Sequence, residues 1–189
     1  MKIYTRKGDG GQTGIWGGLR LDKDHVRMEA IGAVDECNAA IGVAAAAAWQ
    51  GDVSGAGVVT RVLAEVHDCL FVVGCELMAP DRTGAGGSVP RLTGDEVTRL
   101  EAAIDELEAG LPELTSFIHP TGTPEAANLH LARAVCRRAE RRVTTLRRTE
   151  PVADHVAAYL NRLADLLFVL ARHANSTAGV ADRTWSPAK

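Results

Sequence analysis

Apolar residues recur at alternating spacings of three and four along five stretches of the chain, the period of helices with one buried face. The first stretch starts near Asp24 and carries Ile31, Val34, Asn38, Ile41, Ala45 and Ala48 along its seam. Gly51 to Gly57 interrupts it. The second carries Val59, Val62, Val66, Leu70, Val73 and Leu77 and stops by Pro80. Residues 80–92, rich in Gly, Pro, Arg and Ser, read as a mobile loop. Thr93-Gly-Asp-Glu96 then forms a capping box, in which a Thr hydroxyl and a Glu carboxylate satisfy backbone N–H groups at a helix start. The third seam is Val97, Leu100, Ile104, Leu107 and Leu111, ending at Pro112. After a loop through Phe117, Pro120, Gly122 and Pro124, the fourth helix spans about 125–149 with Ala132, Cys136, Ala139, Val143 and Leu146 inward. The fifth begins after Pro151, with Val156, Leu160, Leu163, Leu167, Leu170 and Ala174 inward.

These elements predict an all-α fold, a five-helix up-and-down bundle in one domain covering residues 1–189. Residues 1–23 hold too many glycines for a helix interior and read as an ordered loop or short extended segment. Residues 24–178 make the bundle, and 179–189 a loose tail. Composition agrees: hydrophobics are 46% and aromatics only 4%, which favours close-packed helices over sheets. The four cysteines (Cys37, Cys69, Cys75, Cys136) form no C-x-x-C pair and suit buried thiols in a reducing cytoplasm. No signal peptide is evident, and no apolar stretch reads as long enough to span a bilayer.

Charge changes the picture. The net charge is −3, yet residues 1–27 carry six basic and three acidic side chains, 28–132 four and sixteen, and 133–189 eleven and five. Basic ends around an acidic middle suggest that the ends converge on one anionic ligand, whereas a nucleic-acid binder is usually basic overall. The densest cluster is Arg133-Ala-Val-Cys-Arg137-Arg138-Ala-Glu140-Arg141-Arg142. With Ala132 set at zero and about 100° per residue, Glu140, Arg133 and Arg137 fall at about 80°, 100° and 140°, beside the core. Arg141 follows at about 180°, while Arg138 and Arg142 lie round the helix at about 240° and 280°. The first row borders a groove where partial desolvation strengthens arginine contacts with phosphate or carboxylate. A solvated basic face with ordinary Glu140 pairs is an equal reading from residue types alone. The fifth helix places Asn161, Asp165, Phe168 and Arg172 beside its seam, and the first places Asp35 and Glu36 next to Val34, with a polar Asn38 on the seam itself.

Thr5-Arg6-Lys7-Gly8-Asp9-Gly10-Gly11-Gln12-Thr13-Gly14 joins flexible backbone, hydroxyls and two cations, a composition that can wrap phosphates. It is neither a P-loop nor a dinucleotide fingerprint, and by composition alone a mobile arm is the simpler reading. The histidines form no H-x-x-x-H or E-x-x-H pair, so no protein-bound transition metal is expected. No Ser/His/Asp set or nucleophilic cysteine stands out.

The order of these pieces is what identifies them. Thr5 to Thr13, Gly17-Gly18, Lys23-Asp24, Ala33-Val-Asp35-Glu36-Cys-Asn38, Arg133 to Arg141 and Tyr159-Leu-Asn161-Arg-Leu-Ala-Asp165 together closely resemble the PduO-type ATP:corrinoid adenosyltransferases, over roughly residues 2–175. The resemblance implies a ferritin-like five-helix bundle forming a homotrimer with active sites between subunits. It implies transfer of the 5′-deoxyadenosyl group of ATP to cob(I)alamin with release of triphosphate. By position, Thr5, Arg6, Lys7, Gly8, Thr13 and Lys23 would embrace the triphosphate. Arg137, Arg138, Glu140, Arg141 and Asn161 would complete the ATP site, with Mg²⁺ bridging phosphates and no side-chain metal ligand assigned. Asp35 and Arg133 match a pair that bridges the subunit interface. Phe117 and Phe168 match the apolar floor beneath the corrin, which displaces the lower cobalt ligand. Catalytic weight falls on Arg137, Glu140, Asp35 and Arg133.

Such chemistry needs no general base, because Co(I) is already a strong nucleophile; the protein aligns cobalt with the 5′ carbon and stabilises a charged leaving group. Lys7, Trp16, Cys37 and Ala164 depart from the commoner family residues, and Ala164 removes a hydroxyl near the corrin side. Two other classes remain: a chaperone that delivers adenosylcobalamin to a dependent enzyme, and a structural bundle whose arginines only pair across subunits. A corrinoid reductase and an adenosylcobalamin-dependent enzyme are the partner classes implied; nucleic acid and membrane are not.

Overall fold

The computed structural model describes residues 2–48, 57–79 and 89–187. The expected interruption at Gly51 to Gly57 and the mobile loop of 80–92 fall largely outside these residues. Five helices are present: α1 Val26–Ala48, α2 Val58–Met78, α3 Asp95–Glu108, α4 Pro124–Leu146 and α5 Asp154–Thr177. The glycine-rich N-terminus is a small antiparallel hairpin, β1 Gln12–Gly14 with β2 Arg20–Asp22, in register Thr13 to Leu21.

Local chemistry sets the helix starts. Pro124 occupies the first turn of α4, and the Thr123 hydroxyl accepts from the Ala126 N–H at 3.1 Å. The capping box before α3 forms in altered shape. Glu96 accepts from the N–H groups of Thr93 (2.9 Å) and Gly94 (3.1 Å), while the Thr93 hydroxyl accepts from Asp95 N rather than from Glu96 N. Gly94, at φ 104, takes the left-handed turn this requires.

The bundle is not wound in sequence order. α1 packs mainly on α4 and α2, α4 on α5, and α3 on α5. α5 is the central element, buried at Val156, Tyr159, Leu160, Leu163, Leu166, Leu167 and Leu170. The seams expected for α4 and α5 are all buried. On α1 the buried face is Ala30, Ala33, Val34, Cys37, Ile41 and Ala44, so the expected seam is turned: Ile31, Asn38, Ala45 and Ala48 are half-buried. Small residues decide this, because Ala30, Ala33 and Ala44 on α1 and Ala132, Cys136 and Ala139 on α4 let two backbones approach closely. By length and composition α1 could also cross a bilayer, contrary to the sequence expectation, but its apolar side is spent on α2 and α4.

The tail is not loose: Val180 N donates to Asn175 O, Arg183 O accepts from His119 N, and Trp185 N donates to Phe117 O. At the other end of the bundle Arg27, 1% exposed, donates to Glu150 (2.8 Å) and to the Leu77 carbonyl (2.7 Å), tying the start of α1 to α2 and to the α4–α5 turn. Nothing in the hydrophobic pattern marked that arginine as buried.

Candidate functional site

On α4 the seam residues Ala132, Cys136, Ala139 and Val143 face the core, which turns Arg133, Arg137 and Glu140 to its border. A cleft of about 270 Å³ opens there, lined by Ile104, Arg133, Arg137, Ala164, Asp165 and Phe168 among others. Arg133 is half-buried and holds its guanidinium 5.9 Å from the Phe168 ring centroid, a cation–π contact. Two turns on, Asn161 donates to the Glu140 carboxylate at 3.0 Å, linking α5 to α4 along the same border.

The arginines divide as the helical geometry requires. Arg138 pairs with Glu36, and Arg142 reaches Glu29 at 3.7 Å; both acids are on α1. Among the described residues, Arg133, Arg137 and Arg141 make no ion pair. Arg133 and Arg137 share the cleft with Phe168 and with two carboxylates, Glu108 and Asp165, the latter engaged by Arg162; Arg141 extends the row outside it, and a guanidinium next to low-dielectric surface binds phosphate with both charge and fork geometry. Arg138 is held apart from this row by its Glu36 contact.

The N-terminal candidates are gathered by the hairpin. Arg20 donates to the carbonyls of Lys7 (2.8 Å) and Gln12 (3.2 Å), and Lys23 N donates to Gly11 O at 2.8 Å. Lys23 Nζ lies 3.4 Å from where a Cβ on Gly8 would stand, so the ammonium sits beside the Gly8 backbone. Thr5 accepts from Lys7 N at 3.4 Å, and Arg6 stacks over Tyr4 with φ 61. Thr5, Arg6, Lys7 and Lys23 are exposed, and Gly8 and Thr13 half-buried. No hydrogen bond or ion pair joins this hairpin to the α4 row among the described residues. Asp35 is exposed and does not meet Arg133 within the chain. The two halves of the expected phosphate site, and the expected Asp35–Arg133 pair, are therefore separate within one copy.

Phe168 and Phe117 occupy the end of the bundle where α4 begins. Phe168 is half-buried against Arg133 and His130, whereas Phe117 is 80% exposed and meets Trp185 edge-on at 6.5 Å. They do not touch each other.

His130 went unremarked in the sequence. It is 3% exposed, neither ring nitrogen has a partner, and its ring lies 5.8 Å from that of Phe168. Burial, and then the Arg133 charge, hold its pKa below the usual 6.5, with Asp182 acting the other way. Helical arithmetic carried a signal: His130 falls at about 160° from Ala132, next to Arg137. Cys37 and Cys136 are buried as expected, whereas Cys69 and Cys75 are only half-buried. A hydrogen bond with Cys37, then burial, push the Cys136 thiol well up, which keeps it neutral and unreactive. Among the described residues no cluster of three His, Cys, Asp or Glu side chains could hold a metal ion.

Comparison with known proteins agrees with this fold. The family model for cobalamin adenosyltransferase matches residues 3–174. The corrinoid adenosyltransferase of Bacillus subtilis (strain 168) is 42% identical over 183 residues, covering 96% of this chain and 91% of that one. That of Mycobacterium tuberculosis (strain ATCC 25618 / H37Rv) is 41% identical over 188 residues, covering 98% and 93%. Among solved structures, a variant PduO-type ATP:corrinoid adenosyltransferase from Lactobacillus reuteri, complexed with cobalamin and ATP, superposes with a TM-score of 0.89 at 34% identity, covering 98% of this chain and 100% of that one. With the motif order, the five-helix architecture and a full-length match all pointing one way, the chain belongs to the cobalamin adenosyltransferase family.

Proposed function

We propose that this protein transfers the 5′-deoxyadenosyl group of ATP to cob(I)alamin. The cobalt lone pair attacks the 5′ carbon, the C5′–O bond breaks, and the bonding electrons leave with triphosphate. The observation that carries this reading is the pair of cations without an ion-pair partner among the described residues, Arg133 and Arg137, in one cleft with Phe168, whose ring Arg133 faces; Arg141 continues the strip one turn beyond. Phosphate needs the first feature and a flat apolar macrocycle the second. Arg137 and Arg141 stabilise the departing triphosphate, and the Asn161–Glu140 link orients the border between them.

The phosphate-gathering hairpin stands apart from the α4 row within one copy, so the complete site is read as forming between subunits of a homotrimer. In that assembly Asp35 of one copy meets Arg133 of the next. With Glu140 engaged by Asn161 and no acidic cluster among the described residues, Mg²⁺ is read as riding on the ATP phosphates. Four unpaired thiols suit a reducing cytoplasm.

The test is anaerobic decay of the cob(I)alamin spectrum, required to depend on both ATP and protein. Arg137→Ala is expected to abolish turnover while leaving the helical spectrum and melting unchanged; retained turnover sinks its role. Tight corrinoid binding with no turnover would favour the chaperone reading instead.

A further inference from the structure

We infer that a buried ionic knot under the C-terminal tail, Arg172 with Asp182 and Asn175, is the positioning element for Phe117. The inference rests on the corrinoid reading above and extends it to residues outside the cleft.

The knot joins three segments distant in sequence. Arg172 is 4% exposed; it donates through Nε to Asp182 at 2.8 Å and through Nη2 to the Pro112 carbonyl at 2.6 Å. Asn175, 1% exposed, donates to Thr121 O (3.1 Å) and to Asp182 Oδ1 (3.4 Å), and its own oxygen accepts from Thr123 N (3.0 Å). One end of α5 therefore grips both ends of the 112–123 loop and the first turn of the tail. The tail in turn lies antiparallel to the loop at Ile118 and Thr184, with His119 N donating to Arg183 O (2.8 Å) and Trp185 N to Phe117 O (2.7 Å).

Phe117 depends on that scaffold because little else holds it. Its ring is 80% exposed and, among the described residues, its one aromatic neighbour is Trp185, itself 47% exposed on the same tail. A ring without packing on most sides takes its direction from its backbone, and the tail strand fixes that backbone. Asp182 is the anchor: without its charge Arg172 stays buried with a carbonyl as its remaining strong acceptor, a costly arrangement that the tail relieves by leaving.

The experiment compares wild type with Asp182→Asn, Asp182→Glu and Trp185→Ala. Amide exchange in the ligand-free protein should accelerate about tenfold or more at His119 and Trp185 in Asp182→Asn, with α4 amides unchanged, the size expected when a charge-assisted bond is lost. The KM for cob(I)alamin should rise about tenfold while the KM for ATP holds, and bound cob(II)alamin should regain its lower ligand by electron paramagnetic resonance. Asp182→Glu should recover most of both, and Trp185→Ala should show the corrinoid effects with a smaller change in exchange. Faster exchange with unchanged corrinoid KM and unchanged resonance overturns the inference, as does an equal rise in the KM for ATP. Wild type that binds corrinoid without turnover defeats the transferase reading alone, since the resonance still reports Phe117. Wild type that binds no corrinoid defeats both.

Discussion

Alanine at position 122 is expected to destabilise the protein by about 3–5 kcal/mol, far more than the extra methyl suggests. Gly122 sits at φ 132, where a side chain is strained, and a Cβ there would stand 2.0 Å from Asn175 Oδ1, 2.4 Å from Nδ2 and 2.5 Å from Cγ. The carboxamide must swing away, yet it is 1% exposed and bonded to Thr123 N and Thr121 O. Backbone strain of this kind costs about 1–3 kcal/mol. Leaving buried partners without hydrogen bonds costs about 1–3 kcal/mol more for each group, and partial relaxation brings the sum into the stated range. Gly179→Ala is the control: φ is 69 there and no atom lies within 4 Å, so only the left-handed backbone cost of about 1–2 kcal/mol applies. Urea unfolding followed by circular dichroism, with the midpoint and slope fitted separately, measures both variants. If Gly122→Ala loses no more than Gly179→Ala, the close approach of the loop to α5 is wrong, and with it the basis for the knot beneath the tail.

Other expectations concern charge. His130 has a folded pKa below 6.5, so as pH falls through 6.5 the unfolded chain takes up a proton that the folded protein refuses; its stabilising effect is present above that pH and is lost below it. His130→Leu should therefore flatten the fall in unfolding free energy between pH 7.5 and 5.5, and an unchanged slope in urea titrations would show that another group is responsible. If, as proposed, Asp35 of one copy meets Arg133 of the next in a trimer, Asp35→Ala is expected to weaken turnover or assembly, as judged by kinetics and by mass from light scattering; wild-type values in both would overturn that proposed pair.

Much of the bundle was legible because helices must repeat their apolar face every three or four residues, whatever they pack against. Ala132, Cys136, Ala139, Val143 and Leu146 on α4, and the corresponding row on α5, lie inward as their spacing demands. The same arithmetic separated Arg137 and Arg141 from Arg138 and Arg142 before any partner was known, and the Glu36 and Glu29 contacts follow that division. On α1 the spacing was less informative, since a run of alanines offers several equally apolar faces. The face chosen joins Ala30, Ala33 and Ala44 to Val34, Cys37 and Ile41, and it packs on α4 and α2.

What the chain determines by itself is therefore periodic or local: five helices, the Thr93–Glu96 turn that starts α3, and an arginine strip along the border of its own core. Motif order adds the family, because sequence retains it whatever the packing. Tertiary structure alone decided what depends on segments far apart in the chain. It placed α1 against α4 and α3 against α5, buried Arg27, Arg172 and His130, and tied the tail to the loop of Phe117. Polar burial has no period. An arginine enters the core only where a carboxylate and a carbonyl wait for it, and those are supplied by residues tens of positions away, such as Leu77 for Arg27 or Pro112 for Arg172.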